Sequence, residues 1–365
     1  MSSLLPTPSP SDRPPSRALR KEIRQALEAG GLVALPTETV YGLAANATQP
    51  AALEALRELK SRDSGLAFTW HAASPAALDA FTGTEFPLQA ARRLTKKYWP
   101  GPLTLVLPEV PKGLEQIARE GWTGVRVPAH TPTNGVLEFC PFPVVMTSAN
   151  ISGEAPFVDA NTVAAAFGGA LAVVLDTGPA RMGESSAVLR LGRGKFELLR
   201  EGLTSLDEMR TAAGLRIGFV CTGNTCRSPM AEALARHHMS ERLGTSDLAS
   251  FGFELSSMGV CAGPGSPASR EAVELLGAAG IDLSQHRSSP ALPDVIANLD
   301  RVYCLTASHR DALLQTLPPR KGGHIELLDP DGGDIPDPIG GGAAVYRTCA
   351  ERIEECLDVR LDDWA

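Results

Sequence analysis

The chain has 365 residues, of which 43% are hydrophobic and 21% charged, and its formal net charge is -8. That length exceeds one ordinary core and suits two domains, and the composition is that of a folded globular protein, not a disordered or fibrous one. The negative balance supplies no global basic field for nucleic acid or anionic membrane, though it leaves room for a local basic groove, and no apolar run approaches the length of a bilayer span.

Residues 1–16 are rich in Ser and Pro, lack the apolar core of a signal peptide, and read as a disordered lead-in. An amphipathic helix is predicted over 17–29, closed by Gly30-Gly31, and a short strand over 32–35. Helix patterns follow at 51–60 and 87–98, with strand-like runs at 103–107, 124–127, 144–147, 171–175 and 187–191. This mixture predicts an α/β or α+β first domain over 17–205. Residues 206–214 are polar and helix-prone and read as the linker. A second pattern then starts afresh: a strand at 215–220, a helix from about Ser228, a helix at 269–279, a strand at 301–305 and a helix at 343–357. Strand–helix alternation of this kind predicts a doubly wound parallel sheet over 215–362, with ligands at the carboxyl ends of its strands. The seven cysteines are odd in number and dispersed, so no disulfide framework is expected. No Cys/His cluster has zinc spacing, no metal ligand is assigned, and a reducing cytoplasm is the expected compartment.

The sharpest signal is Cys221-Thr222-Gly223-Asn224-Thr225-Cys226-Arg227-Ser228-Pro229. Cysteine and arginine bracket five residues between an apolar strand and a helix. Such a turn wraps backbone N–H groups around a tetrahedral anion, and the helix N-terminus adds its partial positive charge. The same field is expected to favour the Cys221 thiolate. Arg227 can hold two phosphate oxygens with its planar fork. Ser228 is placed to cap the helix with Pro229 at its first position, and Gly223 to permit the tight turn. Cleavage of a phosphate ester by a thiolate also needs a proton donor for the leaving group. Asp337 in Asp334-Ile-Pro-Asp337-Pro338 is the candidate, with Asp329, Asp331 and Asp334 as acidic competitors that spacing cannot separate.

This segment resembles the low-molecular-weight protein-tyrosine-phosphatase family over about residues 215–360, including Ser257-Met-Gly-Val and Gly280-Ile-Asp-Leu-Ser-Gln-His-Arg-Ser288. The resemblance implies Asp337 as general acid, Asn224 and Ser228 as supports of the loop and the thiolate, and Ser257 as a further support. It implies a phosphoprotein substrate and no cofactor. Family members acting on phosphotyrosine usually carry Ile or Leu at the position of Thr225 and an aromatic ring at that of Ile339. The loop Cys-Thr-Gly-Asn-Thr-Cys-Arg-Ser is similar to that of the protein-arginine-phosphatase branch, which puts phosphoarginine slightly ahead. Arsenate reductases share the loop but need further cysteines, for which Cys304 is the one candidate. Cys226 is either packed beneath the loop or a partner for Cys221 in a protective disulfide.

In the first half, polar residues stand at the ends of predicted elements: Thr37 and Thr39 in Pro36-Thr-Glu-Thr-Val-Tyr-Gly-Leu43, Lys60 and Arg62, Arg126, Ser148 and Asn150, Ser186, and Arg200. Cations and hydroxyls so placed can hold a nucleotide polyphosphate. In this order, with Trp99-Pro-Gly-Pro-Leu-Thr104, they resemble the YrdC-like family of threonylcarbamoyl-AMP synthases over about residues 17–205. The resemblance implies a twisted α/β sheet and synthesis of threonylcarbamoyl-adenylate from threonine, bicarbonate and ATP. It also implies Mg²⁺ with the ATP and a product that feeds tRNA modification, with transient tRNA contact and double-stranded RNA binding. It implies that Lys60, Arg62, Ser148 and Asn150 hold the triphosphate and adenylate, that Thr37 and Thr39 lie by the threonine site, and that Arg126, Ser186 and Arg200 contact nucleotide. One departure is visible. Where the family runs Pro-x-x-Lys-Pro-Leu after Lys-x-Arg, this chain has Asp63-Ser-Gly-Leu-Ala-Phe68. A cation lost beside a triphosphate costs about 1.5–3 kcal/mol of charged hydrogen bonding.

Overall fold

The structure, a computed structural model, describes residues 3–6, 13–60, 68–82, 87–151, 154–317 and 324–364. The chain forms two compact units, Met1–Phe86 with Ala91–Met209, and Pro87–Ala90 with Arg210–Ala365.

The first unit runs β1 (Ser3–Pro6), α1 (Arg17–Glu28), β2 (Leu32–Pro36), β3 (Tyr41–Asn46), α2 (Pro50–Leu59), β4 (Thr69–His71), α3 (Leu88–Tyr98), β5 (Leu103–Leu107), β6 (Thr123–Arg126), α4 (Thr131–Phe139), β7 (Val144–Ser148), α5 (Ala160–Phe167), β8 (Leu171–Asp176), β9 (Ala187–Gly192) and β10 (Lys195–Arg200). Helix α1 starts where the Ser16 side chain accepts from Leu19 N–H, and ends at Ala29 before Gly30 in the left-handed region. Its buried Ile23 and Leu27 are one turn apart and define its inner face.

The strands form one mixed sheet in the order β1-β8-β2-β3-β7-β4-β6-β5-β9-β10. Both faces of its middle are buried, so the central strands read as continuous apolar runs instead of alternating ones. Leu32 and Ala34 of β2 join a cluster with Leu53 and Leu56 of α2 and Val163 of α5. Their neighbours Val33 and Leu35 point the other way, into a cluster with Ile23 and Leu27 of α1 and Val136 of α4. The expected lead-in differs at one place. The backbone of Ser3–Pro6 pairs in parallel with Val173–Asp176, adding β1 to the open edge of β8, where unpaired N–H and C=O groups accept any extended segment.

Apart from Pro87–Ala90, the second unit begins within α6 (Leu206–Ala213), the stretch read as a linker. It continues through β11 (Arg216–Cys221), α7 (Arg227–Leu243), β12 (Glu254–Gly259), α8 (Arg270–Ala278), α9 (Pro293–Ala297), β13 (Arg301–Cys304), α10 (Ala307–Thr316), β14 (Ile325–Leu327) and α11 (Ala343–Trp364). The sheet is parallel throughout, in the order β12-β11-β13-β14. The chain leaves β11 for β12 on one side and returns to β13 on the other, so the order reverses at β11/β13. The crevice outside that reversal is where a ligand sits in such sheets. Helix α11 runs past the predicted end at Leu357 because Trp364 is fully buried against Tyr303 and Phe219 and donates from Nε1 to the Tyr303 hydroxyl at 3.0 Å.

Candidate active sites

Strand β11 ends at Cys221, at the carboxyl edge of the sheet beside the reversal. Residues 222–226 turn the chain back into α7, whose first helical residue is Arg227. The expected cap is displaced: Cys226 is the N-cap residue, without a side-chain bond, and Ser228 and Pro229 lie inside the first turn. The reason is that the Ser228 hydroxyl is engaged elsewhere. It accepts from Asn224 Nδ2 at 2.9 Å and stands 3.0 Å from Cys221 Sγ. The Ser228 oxygen, already accepting from an amide, also lies 3.3 Å from the Met258 carbonyl. Its one proton is directed either to that carbonyl or to the sulfur, and ionised sulfur, the stronger acceptor, would draw the bond to itself. The first-turn amides of α7 are thereby left for an anion.

The tight turn also falls on a different residue from the one expected. Gly223 is not in the left-handed region; Asn224 is, with φ 54°. Asn224 is fully buried and held from several sides. Its Nδ2 donates to Ser228 and to Ser257 Oγ at 3.0 Å, and its Oδ1 accepts from Ser289 N–H at 2.8 Å. Its carbonyl oxygen lies 2.8 Å from His286 Nε2, and its N–H donates to Cys221 Sγ at 3.3 Å. These bonds fix a backbone angle that costs a non-glycine residue free energy. Gly259, at the end of β12, admits the loop: a Cβ there would stand 2.5 Å from the Thr222 carbonyl oxygen.

The four acidic candidates separate by their partners. Asp329 is buried in an ion pair with Arg352 at 2.5 Å. Asp334 accepts from Ala307 N–H at 2.7 Å. Asp331 is an exposed residue of the turn at Asp329, donating its N–H to Asp329 Oδ1 at 2.9 Å. Asp337 reaches the loop: its Oδ2 is 2.5 Å from Arg227 Nη2, and its side chain is 42% exposed where that of Arg227 is 6%. Arg227 Nη1 donates to the Ile335 carbonyl at 3.2 Å. Carboxylate and guanidinium thus face one open space at the mouth of the loop. Thr225 is half-buried with its hydroxyl 3.7 Å from Cys226 Sγ, and Ile339 is 70% exposed. Cys226 is packed, its sulfur 3.2 Å from the Tyr346 hydroxyl, and all seven cysteines are free. Burial pushes the Cys304 thiol up to about 12, which suits a packing residue and not a redox relay.

In the first unit a cleft of about 500 Å³ opens over the sheet. Thr37, Arg126, Ser148, Ser186 and Arg200 line it. Thr39 stands behind them, accepting from Arg126 Nη2 at 2.9 Å and 2.7 Å from Thr37 Oγ1. Lys60 is buried at the end of α2, donating to the Ser148 carbonyl at 2.9 Å, to Asn150 Oδ1 at 2.5 Å and to the Asn150 carbonyl. Ser148 Oγ donates to the same Asn150 Oδ1 at 2.7 Å. Arg200 Nε and Nη2 donate to the carbonyl and hydroxyl of Ser186, whose hydroxyl is 3.0 Å from that of Thr104. Arg62, and the departure from Asp63 to Ala67, lie outside the described residues.

Two residues, one behind this cleft and one lining it, escape the sequence reading. Glu38 is fully buried and pairs with Arg126 at 2.7 Å, while its second oxygen accepts from Ala129 N–H at 2.9 Å. The signal was present, since an arginine inside the apolar run Gly124-Val-Arg-Val127 requires a buried partner. His71 also lines the cleft, and burial, with the charge of Arg126, holds it down to about 3. Its Nδ1 lies 3.1 Å from the Thr69 carbonyl, which can only accept. The ring is therefore neutral with its proton on Nδ1, and Nε2 is an acceptor. For Mg²⁺ the described residues hold no group of three or more His, Cys, Asp or Glu side chains that could cage an ion. Glu38 is committed to Arg126. The donor set is cationic and hydroxylic, which fits a polyphosphate and not a resident metal.

Comparison with known proteins divides the chain at the same joint. The family model described as telomere recombination (Sua5, YciO and YrdC) matches residues 25–202. That described as low molecular weight phosphotyrosine protein phosphatase matches residues 216–361. The threonylcarbamoyl-AMP synthase of Pyrococcus abyssi is 37% identical over 217 residues, 57% of this chain. The match spans 62% of that relative's length. The protein-arginine-phosphatase of Geobacillus stearothermophilus is 38% identical over 146 residues, 39% of this chain and 91% of its own. The structure of a double variant of Pyrococcus abyssi Sua5 matches with a TM-score of 0.50 and 26% identity, covering 67% of this chain and 88% of that one.

Proposed function

We propose, for a chain that belongs to the Sua5/YrdC family in its first half and to the low-molecular-weight phosphatase family in its second, two catalytic activities: threonylcarbamoyl-adenylate synthesis and cysteine-dependent protein dephosphorylation. The observation that carries the second is Cys221 Sγ, 3.0 Å from the Ser228 hydroxyl, on a loop that ends at Arg227, which the Asp337 carboxylate meets from a second loop. The phosphoryl group displaces Asp337 from Arg227 and lies between the guanidinium and the loop amides, and the freed carboxylate takes up a proton from solvent, which makes it the acid of the first step. The Cys221 thiolate attacks phosphorus, the bond to the leaving group breaks, and Asp337 gives that group its proton. Asp337 then takes a proton from the water that cleaves the phosphocysteine, which returns thiolate and phosphate.

Phosphoarginine is the favoured substrate. Thr225 places a hydroxyl on the loop, and Ile339 offers no ring to stack on phosphotyrosine. Thr225→Ile is expected to shift the ratio of phosphoarginine to phosphotyrosine turnover about tenfold or more toward phosphotyrosine. Peptides carrying each modification measure it, and a wild type that strongly prefers phosphotyrosine overturns the assignment.

For the first half, support comes from the cleft's row of cations and hydroxyls. In this reading the triphosphate of ATP lies along Lys60, Ser148 and Asn150, with Arg126, Ser186 and Arg200 toward the nucleotide and Thr37 and Thr39 near threonine. Arg62 belongs to the same set, and Mg²⁺ arrives with the ATP. The product, passed to tRNA modification, makes contact with tRNA or its modifying enzymes transient. The full chain is expected to release pyrophosphate when given ATP, threonine and bicarbonate, and Lys60→Ala to lower kcat/KM roughly 10- to 100-fold. A chain that binds ATP but releases no pyrophosphate is a nucleotide-binding module instead.

A further inference from the structure

His309 lies in the first turn of α10, beside the crevice at the sheet reversal, and nothing in the mechanism above uses it. Its side chain is 4% exposed. Nε2 is 2.9 Å from Oγ1 of Thr222, the residue directly after the nucleophile. Nδ1 is 2.9 Å from Oγ1 of Thr306, the residue that caps α10. Burial, with the charge of Arg227 next in weight, holds His309 down to about 4. A neutral imidazole has one donor and one acceptor, so one threonine hydroxyl gives a bond to the ring and the other takes one.

The same turn of chain is tied to the acid loop. Ala307 N–H donates to Asp334 Oδ1 at 2.7 Å, and Ile335 N–H to the Leu305 carbonyl at 2.8 Å. The Ile335 carbonyl in turn accepts from Arg227. Leu305 N–H donates to the Val220 carbonyl at 2.9 Å, which fixes this turn to the strand that ends in Cys221. The turn at residues 305–309 thus stands between the nucleophile loop and the loop that carries Asp337. Of its bonds to the nucleophile loop, the one from His309 to Thr222 is made by side chains alone and can be removed without touching the backbone.

We infer that His309 is a positioning residue, which through Thr222 sets the angle of the phosphate loop against the acid loop. The inference rests on the phosphatase reading of that loop. Thr222 is exposed apart from this bond. The carbonyls of Cys221 and Thr222 are held from the other side, accepting from Val260 and Cys261 N–H at 2.9 Å each. Without the His309 bond the loop therefore stays tied to β12 but loses its side-chain tie to the turn at residues 305–309, and its amides lose their fixed angle to the acid loop.

The test uses full-length Thr222→Val, His309→Ala, His309→Gln and the Thr222→Val/His309→Ala pair. Turnover of para-nitrophenyl phosphate and competitive inhibition by inorganic phosphate are measured together. Each of Thr222→Val and His309→Ala is expected to lower kcat/KM and weaken phosphate inhibition about tenfold. The pair is expected to be no worse than the weaker single variant, since both remove one bond. His309→Gln, whose amide can give one bond and take another, recovers most of the loss. Losses that multiply in the pair overturn the inference, as does Thr222→Val at wild-type rates, because a helix-packing histidine would act without the threonine. Should His309→Ala not fold, Thr222→Val and His309→Gln decide by the same readouts. Failure of the phosphatase reading looks different: the wild type itself is inactive, and phosphate shifts no amide resonance of residues 222–227.

Discussion

Replacing Cys221 by serine is expected to lower phosphatase turnover by at least about 10⁴-fold while leaving phosphate affinity within a few-fold of wild type. The asymmetry follows from how the loop divides its work. In the reading proposed above, the anion is held by the amides at the start of α7 and by Arg227, and neither set depends on the sulfur. Bond making to phosphorus, by contrast, has no substitute nucleophile. A serine hydroxyl in place of the thiol is ionised only far above neutral pH, and Ser228, 3.0 Å away, can donate to it but not take its proton. Burst kinetics with para-nitrophenyl phosphate and calorimetric titration with phosphate measure the two quantities on the same sample. Turnover within a hundredfold of wild type would falsify Cys221 as nucleophile, and lost phosphate binding would mean that the sulfur holds the loop together.

The second large effect concerns stability. Glu38→Ala is expected to destabilise the first unit by about 3–5 kcal/mol. Arg126 is 5% exposed and Glu38 fully buried, so the variant leaves a guanidinium in the interior without its charged partner. It also orphans Ala129 N–H, which donates to the second carboxylate oxygen. Thr39 and the Gly101 carbonyl still accept from Arg126, but neither carries a charge. Urea unfolding of the full chain, read by amide exchange in residues 32–46, measures the loss. The double variant Glu38→Ala/Arg126→Met is expected to recover much of it, because the uncompensated charge has gone. A Glu38→Ala protein that unfolds at the wild-type urea concentration shows the pair to be incidental. In the reading proposed above, Arg126 also meets nucleotide, so Glu38 serves to aim it.

How much was legible in the sequence depends on how far along the chain the cause lies. The strand β11, the turn and helix α7 were readable because they are consecutive: an apolar run, a bracketed Cys-x5-Arg and a helical pattern each act within a few residues. Even so, two local roles were misplaced. Ser228 was expected at the cap and Gly223 at the strained turn, whereas Asn224 takes the left-handed angle and Ser228 turns to the sulfur. Both follow from Ser257, Ser289 and His286 closing on Asn224 from other elements. Strands β3, β4, β10, β12 and β14 were not predicted as strands. β4 and β14 have three residues each, and β12 and β14 flank the second sheet, where pairing to a neighbour and not periodicity makes the strand.

The sequence by itself determined the chemistry on offer: a thiol before a helix N-terminus, a guanidinium beyond the five residues that follow it, and cations and hydroxyls at the ends of elements in the first half. Covalent spacing enforces those arrangements, so any fold that completes the strand–turn–helix reproduces them. Only the tertiary structure decided which distant groups meet them. Asp337 and not Asp329 faces Arg227 because Ile335 is pinned to Leu305 and Asp334 to Ala307, while Asp329 is drawn to Arg352. Glu38 finds Arg126, Lys60 finds Asn150, and His309 finds Thr222 across separations of 88, 90 and 87 residues. Such pairs leave no period in the sequence. They form because burying a charge or a ring nitrogen without a partner costs more than the entropy of ordering two side chains, and the topology of each sheet decides which partner is within reach.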